Sequence, residues 1–161
     1  MAEQQDPGPS GVTARPTGKG RFQAEIAFRG GTLLADEPVE GGGGGTGPTP
    51  YELLSAALAA CTAMTLKLYA ERKGWALPPF LVEAAHSREA ARDLFTRRIA
   101  FEGPLDADQK AKLLELADKC PVHRTLMRGF EIATTIGTAP EPLPAEPAAQ
   151  HARDMEIACA D

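Results

Sequence analysis

Alternating hydrophobic and polar positions predict a series of short β-strands along the chain. Residues 21–29 are the clearest example, because every second side chain from Phe22 to Phe28 is apolar and would share one face of an extended strand. Gly30 and Gly31 follow, and this pair favours a tight hairpin turn to a returning strand. We predict strands over residues 21–29, 32–35, 80–86, 94–102 and 130–136, with a short edge strand over 12–15.

A long stretch without this alternation, residues 49–73, predicts a central helix. Thr49 and Glu52 form the pattern of an N-terminal capping box, and Pro50 suits the first helical position. Gly74 supplies a left-handed stop at the other end. The first two thirds of the stretch are apolar nearly all round, which indicates a helix buried in a core rather than one on a surface.

Two shorter helices complete the pattern, and the order of the elements indicates the fold class. Asp106 opens an amphipathic helix that ends near residue 119, and residues 122–127 predict a short third helix. The order strand–strand–helix–strand–strand–helix–strand indicates an α+β domain with a largely antiparallel sheet. On the strand over residues 94–102, Arg97 shares the apolar face, where its long side chain would reach the rim of the core.

The two ends of the chain differ in composition from its middle. Residues 1–19 form a flexible leader rich in Pro and Gly, and residues 138–161 form a Pro/Ala-rich tail that we expect to be disordered, apart from a marginal helical turn in the last few residues. Residues 20–137 then form one domain, in keeping with a chain of 161 residues. A run of glycines, residues 41–45, predicts a mobile loop ahead of the central helix, and the Lys-Ser/Thr pair of a phosphate-binding loop does not follow it.

Composition and charge argue against several classes of partner. The net charge of −5 and the aromatic content of 6% give no basis for binding nucleic acid or an anionic membrane surface. We expect no membrane span, because the last third of the central stretch carries charged residues. The first residues lack the pattern of a signal peptide, and three cysteines are too few for a disulfide framework, so we expect a cytoplasmic protein with reduced thiols.

Two cysteines lie at positions that suit redox chemistry. Cys61 is at the centre of the buried helix, and Cys120 ends a helix directly before a proline. Buried cysteines usually act only as small hydrophobic residues, so packing is the alternative for both. A reactive Cys61 would need a nearby cation, because burial alone raises the pKa of a thiol. Arg21, at the start of a predicted strand, is a candidate cation, and Glu52 or Tyr51 could hold it in place.

Two motifs resemble those of the osmotically inducible protein C / organic hydroperoxide resistance (OsmC/Ohr) family. The first leads into the central helix and ends at its cysteine, the second begins with Cys-Pro, and the resemblance covers about residues 12–137. It implies an antiparallel β-sheet packed on two main helices and an intertwined homodimer. The motif residues are Gly47, Pro48, Thr49, Pro50, Tyr51, Glu52, Leu53, Leu54, Ala57, Leu58, Ala59, Ala60, Cys61 and Thr62, then Cys120, Pro121, Val122, His123, Arg124, Thr125 and Leu126.

The resemblance also implies a thiol-dependent peroxidase that reduces organic hydroperoxides to alcohols without a cofactor or metal. By position, Cys61 matches the peroxidatic cysteine that becomes a sulfenic acid, Cys120 matches the resolving cysteine of a Cys61–Cys120 disulfide, and Arg21 matches the activating arginine. An external dithiol, such as a dihydrolipoyl group, would reduce the disulfide. One position departs from the well-characterised members: they have a glutamate directly after the proline, whereas this chain has Tyr51 there and Glu52 one residue later, a turn of about 100° on a helix. In this wording the motifs are more similar to the OsmC-like branch of the family.

Three other functions remain open at this point. The apolar dimer cleft could bind an apolar ligand without catalysis. A metal site of Cys61, Cys120 and His123 is a second alternative, although the cysteines lack a tight Cys-x-x-Cys spacing. A Cys-His acyl-transfer site is a third, and it lacks an orienting partner. His86 and His151 have no predicted partner, and we expect Cys159 in the tail to be incidental.

Overall fold

The computed structural model describes residues 11–137, 147 and 149–160, and the chain divides into two compact units. The first comprises the chain up to Leu53 together with Ala133–Gln150, and we call it the strand unit. The second comprises Leu54–Ile132 together with His151–Asp161, and we call it the thiol unit because it contains all three cysteines. Helices and antiparallel sheets occur together, which confirms the predicted α+β class.

The strand unit contains a three-stranded antiparallel sheet of β1 (Thr13–Pro16), β2 (Ala24–Phe28) and β3 (Gly31–Ala35), in the order β1-β2-β3. Ile26 and Leu33 lie opposite each other in the pairing of β2 with β3. Gly30 has a φ of 91° in the turn between these two strands, which glycine adopts without steric cost, so the predicted hairpin is confirmed.

The glycine run is folded around a buried carboxylate, and this differs from the mobile loop that we expected. Asp36 is 3% exposed, and its Oδ2 accepts hydrogen bonds from the backbone N–H of Gly44 at 3.1 Å and from the hydroxyl of Thr46 at 2.8 Å. The Thr46 hydroxyl is the main cause that lowers the pKa of Asp36. A Cβ at Gly43 would lie 1.9 Å from the carbonyl oxygen of Glu37, so the backbone approaches too closely for any other residue.

The thiol unit packs helices beside a two-stranded antiparallel sheet. Its first helix, α1, begins in the strand unit and ends before Gly74, which has a φ of 66°. Asp106 and Gln109 form the predicted capping box at the start of α2. The elements are α1 (Pro50–Lys73), β4 (Phe80–Glu89), β5 (Arg92–Phe101), α2 (Ala107–Lys119), α3 (Pro121–Arg128) and α4 (Gln150–Ala158).

The main core of the thiol unit lies between α1, α2 and the end of α4. Its buried members are Leu66, Tyr69, Leu113, Leu116 and Cys159. By length and composition alone α1 could cross a membrane, with a mean hydropathy of 1.5 over its most apolar window. The core helix of a folded protein meets the same test, and the burial of threonines and a tyrosine along α1 is typical of such a helix.

Three predictions about the elements do not hold. Residues 138–161 were expected to be disordered apart from a marginal helical turn near Cys159, but a full helix, α4, forms at Gln150–Ala158 and buries Ala158 and Cys159. The expectations of disorder for residues 1–10 and 138–146 lie outside the described residues. Residues 130–136 were expected to form a strand, but they pair with no strand in the described part of the chain, and Ile132 is 79% exposed. The central helix is not buried all round, because one stripe of α1 is open, with Met64 52% exposed. The apolar composition of a helix therefore does not show which of its faces the rest of the same chain buries.

The close approach of the backbone at Gly43 predicts that alanine destabilises the protein far more at position 43 than at position 41. Gly43→Ala should destabilise the protein by about 1–3 kcal/mol, because the new methyl group overlaps the Glu37 backbone. Gly41→Ala is the matched control, since its Cβ would lie 3.7 Å from Pro38, an ordinary contact. Urea unfolding of the two variants measures the difference. Equal stability would show that the loop moves to accept the methyl group.

Candidate active site

The candidate site is a pair of buried, free thiols in the thiol unit, contributed by α1 and by the start of α3. Cys61 is 2% exposed and Cys120 is fully buried. The two side chains belong to one apolar cluster with Leu58 and are hydrogen-bonded to each other. The structure therefore brings together the two cysteines that the sequence motifs singled out.

Helix α3 directs two backbone N–H groups at the sulfur atoms. Cys120 is its N-cap residue, and the Cys120 Sγ accepts a hydrogen bond from the N–H of His123 at 3.4 Å. The N–H of Val122 points to Cys61 Sγ at 3.5 Å. Pro121 at the start of the helix fixes the turn, and it lacks an N–H that would need a partner. The Cys-Pro sequence thus places the free amides of a helix N-terminus against both sulfurs, where they favour negative charge.

The two thiols share a proton unequally. The hydrogen bond from Cys61 is the main cause that lowers the pKa of Cys120 to about 5, and the His123 amide, Thr62 and the charge of Arg97 act in the same direction. The same hydrogen bond, together with burial, raises the pKa of Cys61. These opposite directions favour negative charge on Cys120 and the proton on Cys61. This resting arrangement differs from the Cys61 thiolate that the family resemblance implies for the attacking step.

Arg97 of β5 provides the positive charge near this pair. Its Nη1 donates to the Thr62 hydroxyl at 3.0 Å and to the Ala117 carbonyl at 2.9 Å, and its Nη2 donates to Asp118 at 2.9 Å. The Thr62 oxygen lies 3.6 Å from Cys120 Sγ. The sequence showed an arginine on the apolar face of a strand, but it did not show that a threonine links this arginine to the cysteine.

The Thr62 hydroxyl has one proton for two acceptors. It lies 2.8 Å from the Leu58 carbonyl oxygen, one turn earlier in α1, and 3.6 Å from Cys120 Sγ. While it donates to Leu58, a thiolate on Cys120 keeps the hydrogen bonds from Cys61 and from the His123 amide, and the charge of Arg97 acts in the same direction. If the hydroxyl rotates, it can also donate to Cys120 directly.

The other two predicted site residues lie in the strand unit. The Arg21 guanidinium is 4.9 Å from the centre of the Phe22 ring. The Glu52 carboxylate accepts a hydrogen bond from the Thr49 N–H at 2.7 Å, and Thr49 accepts one from the Glu52 N–H at 3.2 Å. The capping box is therefore confirmed. The roles of Arg21 and Glu52 at Cys61 stay predictions.

The histidines have partners that the sequence did not reveal. His151 Nε2 lies 3.3 Å from Cys61 Sγ, and His86 pairs with Asp93 at 2.9 Å. Cys159, expected to be incidental, is buried and donates to the Thr65 carbonyl at 3.5 Å. Among the residues that the structure describes, no three His, Cys, Asp or Glu side chains form a group that could hold a metal ion, so the metal site of Cys61, Cys120 and His123 receives no support.

A known protein family matches the part of the chain that contains Cys61 and Cys120. The family model described as OsmC-like protein matches residues 42–135, more than half of the chain, and this span includes Cys61 and Cys120. Among curated proteins none matches the sequence.

Solved structures share the fold at low sequence identity. A candidate osmotic stress induced and detoxification response protein from Psychrobacter arcticus 273-4 has a TM-score of 0.61 and 19% identity, over 71% of this chain and 85% of its own. An OsmC-like protein from Mycoplasma pneumoniae has a TM-score of 0.58 and 20% identity, over 73% and 86%. The organic hydroperoxide resistance protein OhrB of Bacillus subtilis has a TM-score of 0.54 and 21% identity, over 74% and 90%.

The unequal sharing of the proton predicts how the thiols titrate. In the native protein, the ultraviolet absorbance of one thiolate should disappear as the pH falls through about 5. Cys61→Ala removes the donor and should move this midpoint upward. Cys159→Ala is the control, and it should leave the midpoint in place because the Cys159 thiol donates to Thr65 instead. A midpoint that does not move in Cys61→Ala would contradict the shared proton.

Proposed function

Because the chain belongs to the OsmC-like protein family, we propose that it is a thiol-dependent peroxidase that reduces organic hydroperoxides to alcohols. The main support is the pair of free, hydrogen-bonded thiols, one of which has a pKa of about 5. A thiolate is the nucleophile that attacks a peroxide, and a second thiol within hydrogen-bond range can resolve the product. The name of the Bacillus subtilis neighbour, organic hydroperoxide resistance protein, suggests the substrate class.

The proposed reaction has two steps in the protein and one with an external reductant. The Cys61 thiolate attacks the distal oxygen of the hydroperoxide; an S–O bond forms, the O–O bond breaks, and the alkoxide takes a proton to give the alcohol. The Cys120 thiolate then attacks the sulfenic sulfur of Cys61, and hydroxide leaves as water after it takes a proton. An external dithiol reduces the resulting disulfide by thiol–disulfide exchange.

The surroundings of the thiols favour an organic substrate over hydrogen peroxide. The partly buried side chains that pack against the two cysteines are apolar, and they offer contacts to an alkyl or aryl group but few polar groups to a small polar peroxide. These side chains are Ala84, Phe95, Val122 and Leu126.

Attack by Cys61 requires the proton that it carries at rest to leave. A cation near Cys61 would favour this, because it would lower the free energy of the Cys61 thiolate. We retain Arg21 for this role on the basis of the family resemblance, with Glu52 as its candidate partner. Arg97 lowers the pKa of Cys120 and so favours the thiolate that resolves the sulfenic acid.

Trapping the sulfenic acid tests which cysteine attacks. After one equivalent of cumene hydroperoxide, the native protein should contain a Cys61–Cys120 disulfide that peptide mass spectrometry detects. Cys120→Ser should instead accumulate a sulfenic acid on Cys61 that dimedone traps, because the resolving thiol is absent. Cys61→Ser should consume no peroxide, because it lacks the attacking thiol.

Two results would count against this proposal. A sulfenic acid on Cys120 in the Cys61→Ser variant would assign attack to Cys120. Unchanged thiols in the native protein, with no peroxide consumed, would remove the peroxidase function and favour a binding protein for apolar ligands.

We further propose that the functional form is a homodimer. One face of α1 is apolar and open to solvent in the single chain, although the helix has the composition of a core element. A second copy of the chain would cover this face at a gain of about 25 cal/mol for each Å² of apolar surface. The exposed residues of this face are Leu54, Ala57, Ala60 and Met64.

A charge on this face of α1 should separate the two copies. Met64→Asp places a carboxylate in the proposed interface, where its desolvation would oppose association. Light scattering coupled to size-exclusion chromatography should show a dimer for the native protein and a monomer for the variant. Ile157→Asp, an exposed apolar position on α4, is the control and should remain dimeric. A native monomer at micromolar concentration would contradict the proposal.

A further inference from the structure

The histidine at the start of α4 contacts the thiol that must lose its proton. His151 Nε2 lies 3.3 Å from Cys61 Sγ, within hydrogen-bond range for sulfur. His151 lies outside residues 42–135, so the family pattern does not include it. Neither the sequence motifs nor the proposed peroxidase steps assign it a function.

Helix α4 is fixed against α1 by contacts away from His151. Cys159 is buried in the main core and donates to the Thr65 carbonyl at 3.5 Å. Arg72 donates to the backbone carbonyl of Glu156 at 3.1 Å. These contacts at the far end of the helix hold α4 on α1 independently of the imidazole. The position of His151 at the sulfur therefore follows from the packing of the whole helix.

The proton of Cys61 consequently faces two acceptors. One is the Cys120 sulfur, which already receives the hydrogen bond of Cys61 and carries the negative charge at rest. The other is the imidazole Nε2 of His151, which can accept a proton when it is the unprotonated nitrogen of the ring. If the proton moves to Cys120, the resolving cysteine becomes neutral and loses its nucleophilicity. If it moves to the imidazole, both sulfurs are thiolates and the two reaction steps can follow each other.

We propose that His151 is a catalytic residue that takes the proton of Cys61 and returns it to the leaving alkoxide. Nε2 accepts the proton from the thiol and becomes part of an imidazolium, next to a Cys61 thiolate. The thiolate attacks the distal peroxide oxygen, and as the O–O bond breaks the imidazolium gives its proton to the alkoxide oxygen. The products of this step are a neutral imidazole, the alcohol and the Cys61 sulfenic acid, while Cys120 has kept its negative charge for the next step.

This role rests on the proposed peroxidase function, but it can be tested separately. The reaction of Cys61 with iodoacetamide also needs the thiolate, and it involves no peroxide. Peptide mass spectrometry assigns the alkylation rate to Cys61 in the presence of the other cysteines. Stopped-flow measurement with cumene hydroperoxide gives the rate of the peroxide step in the same variants.

Three variants distinguish proton transfer from packing. His151→Gln keeps a polar side chain of similar reach without a basic ring, and His151→Ala leaves space for a small molecule. Both should lower the peroxide and alkylation rates at Cys61 by about 100-fold, a common contribution of one general base. Added imidazole should restore much of both rates in His151→Ala and little in His151→Gln. Glu156→Gln weakens the contact of α4 with Arg72 without touching the sulfur, and it should change both rates less than twofold.

The alkylation rates of the variants decide whether His151 transfers the proton. Native alkylation rates in His151→Gln would overturn the proposal, as would an equal loss in Glu156→Gln, because either result would reduce His151 to a packing residue. A loss of alkylation that imidazole restores supports the role of His151 even if the native protein consumes no peroxide, in which case only the peroxidase function fails. Thermal unfolding of the variants, followed by circular dichroism, confirms that α4 remains docked.

Discussion

One hydrogen bond, between the thiols of Cys61 and Cys120, determines the chemical character of this protein. Two buried thiols far apart would both be neutral, because burial disfavours the charged form. Here the hydrogen bond from Cys61 lowers the pKa of Cys120, and the backbone amides at the start of α3 favour negative charge on the sulfurs. The hydrogen bond exists only because the middle of α1 packs against the N-terminus of α3. The charge on the candidate site therefore depends on the packing of α1 against α3.

The two sulfurs differ because their surroundings differ. Cys120 faces an amide, a hydroxyl and the field of Arg97, all of which favour negative charge. Cys61 has an amide and an imidazole as neighbours, and it donates the hydrogen bond that charges Cys120. The sequence places Cys61 inside a helix and Cys120 at a helix boundary, but it does not show which groups surround each sulfur. The chemistry resides in the neighbours, and these come from four separate elements.

Much of the architecture could be predicted because it depends on local patterns. The hairpin at Gly30, the capping boxes of α1 and α2 and the strands β4 and β5 each follow from neighbouring residues. The pairing of Cys61 with Cys120 followed from two motifs read together. The Arg97–Thr62 contact and the docking of α4 could not be predicted, because they join residues 35 and 90 positions apart through tertiary packing. The prediction of a mobile loop at the glycine run was wrong for a similar reason. The Asp36 carboxylate orders this loop, and the composition of the loop itself does not show this contact.

The contacts that favour a thiolate on Cys120 also affect the last step of the proposed cycle, the reduction of the disulfide. A disulfide carries no charge, so on oxidation the amide of His123 and the guanidinium of Arg97 lose the anion that they stabilise. Stabilisation of the reduced form raises the reduction potential of a dithiol/disulfide couple. The disulfide of this pair should consequently accept electrons readily from an external dithiol of ordinary potential. The contacts that favour a thiolate on Cys120 thus favour two later steps of the proposed cycle, attack of Cys120 on the Cys61 sulfenic acid and reduction of the disulfide by the external dithiol.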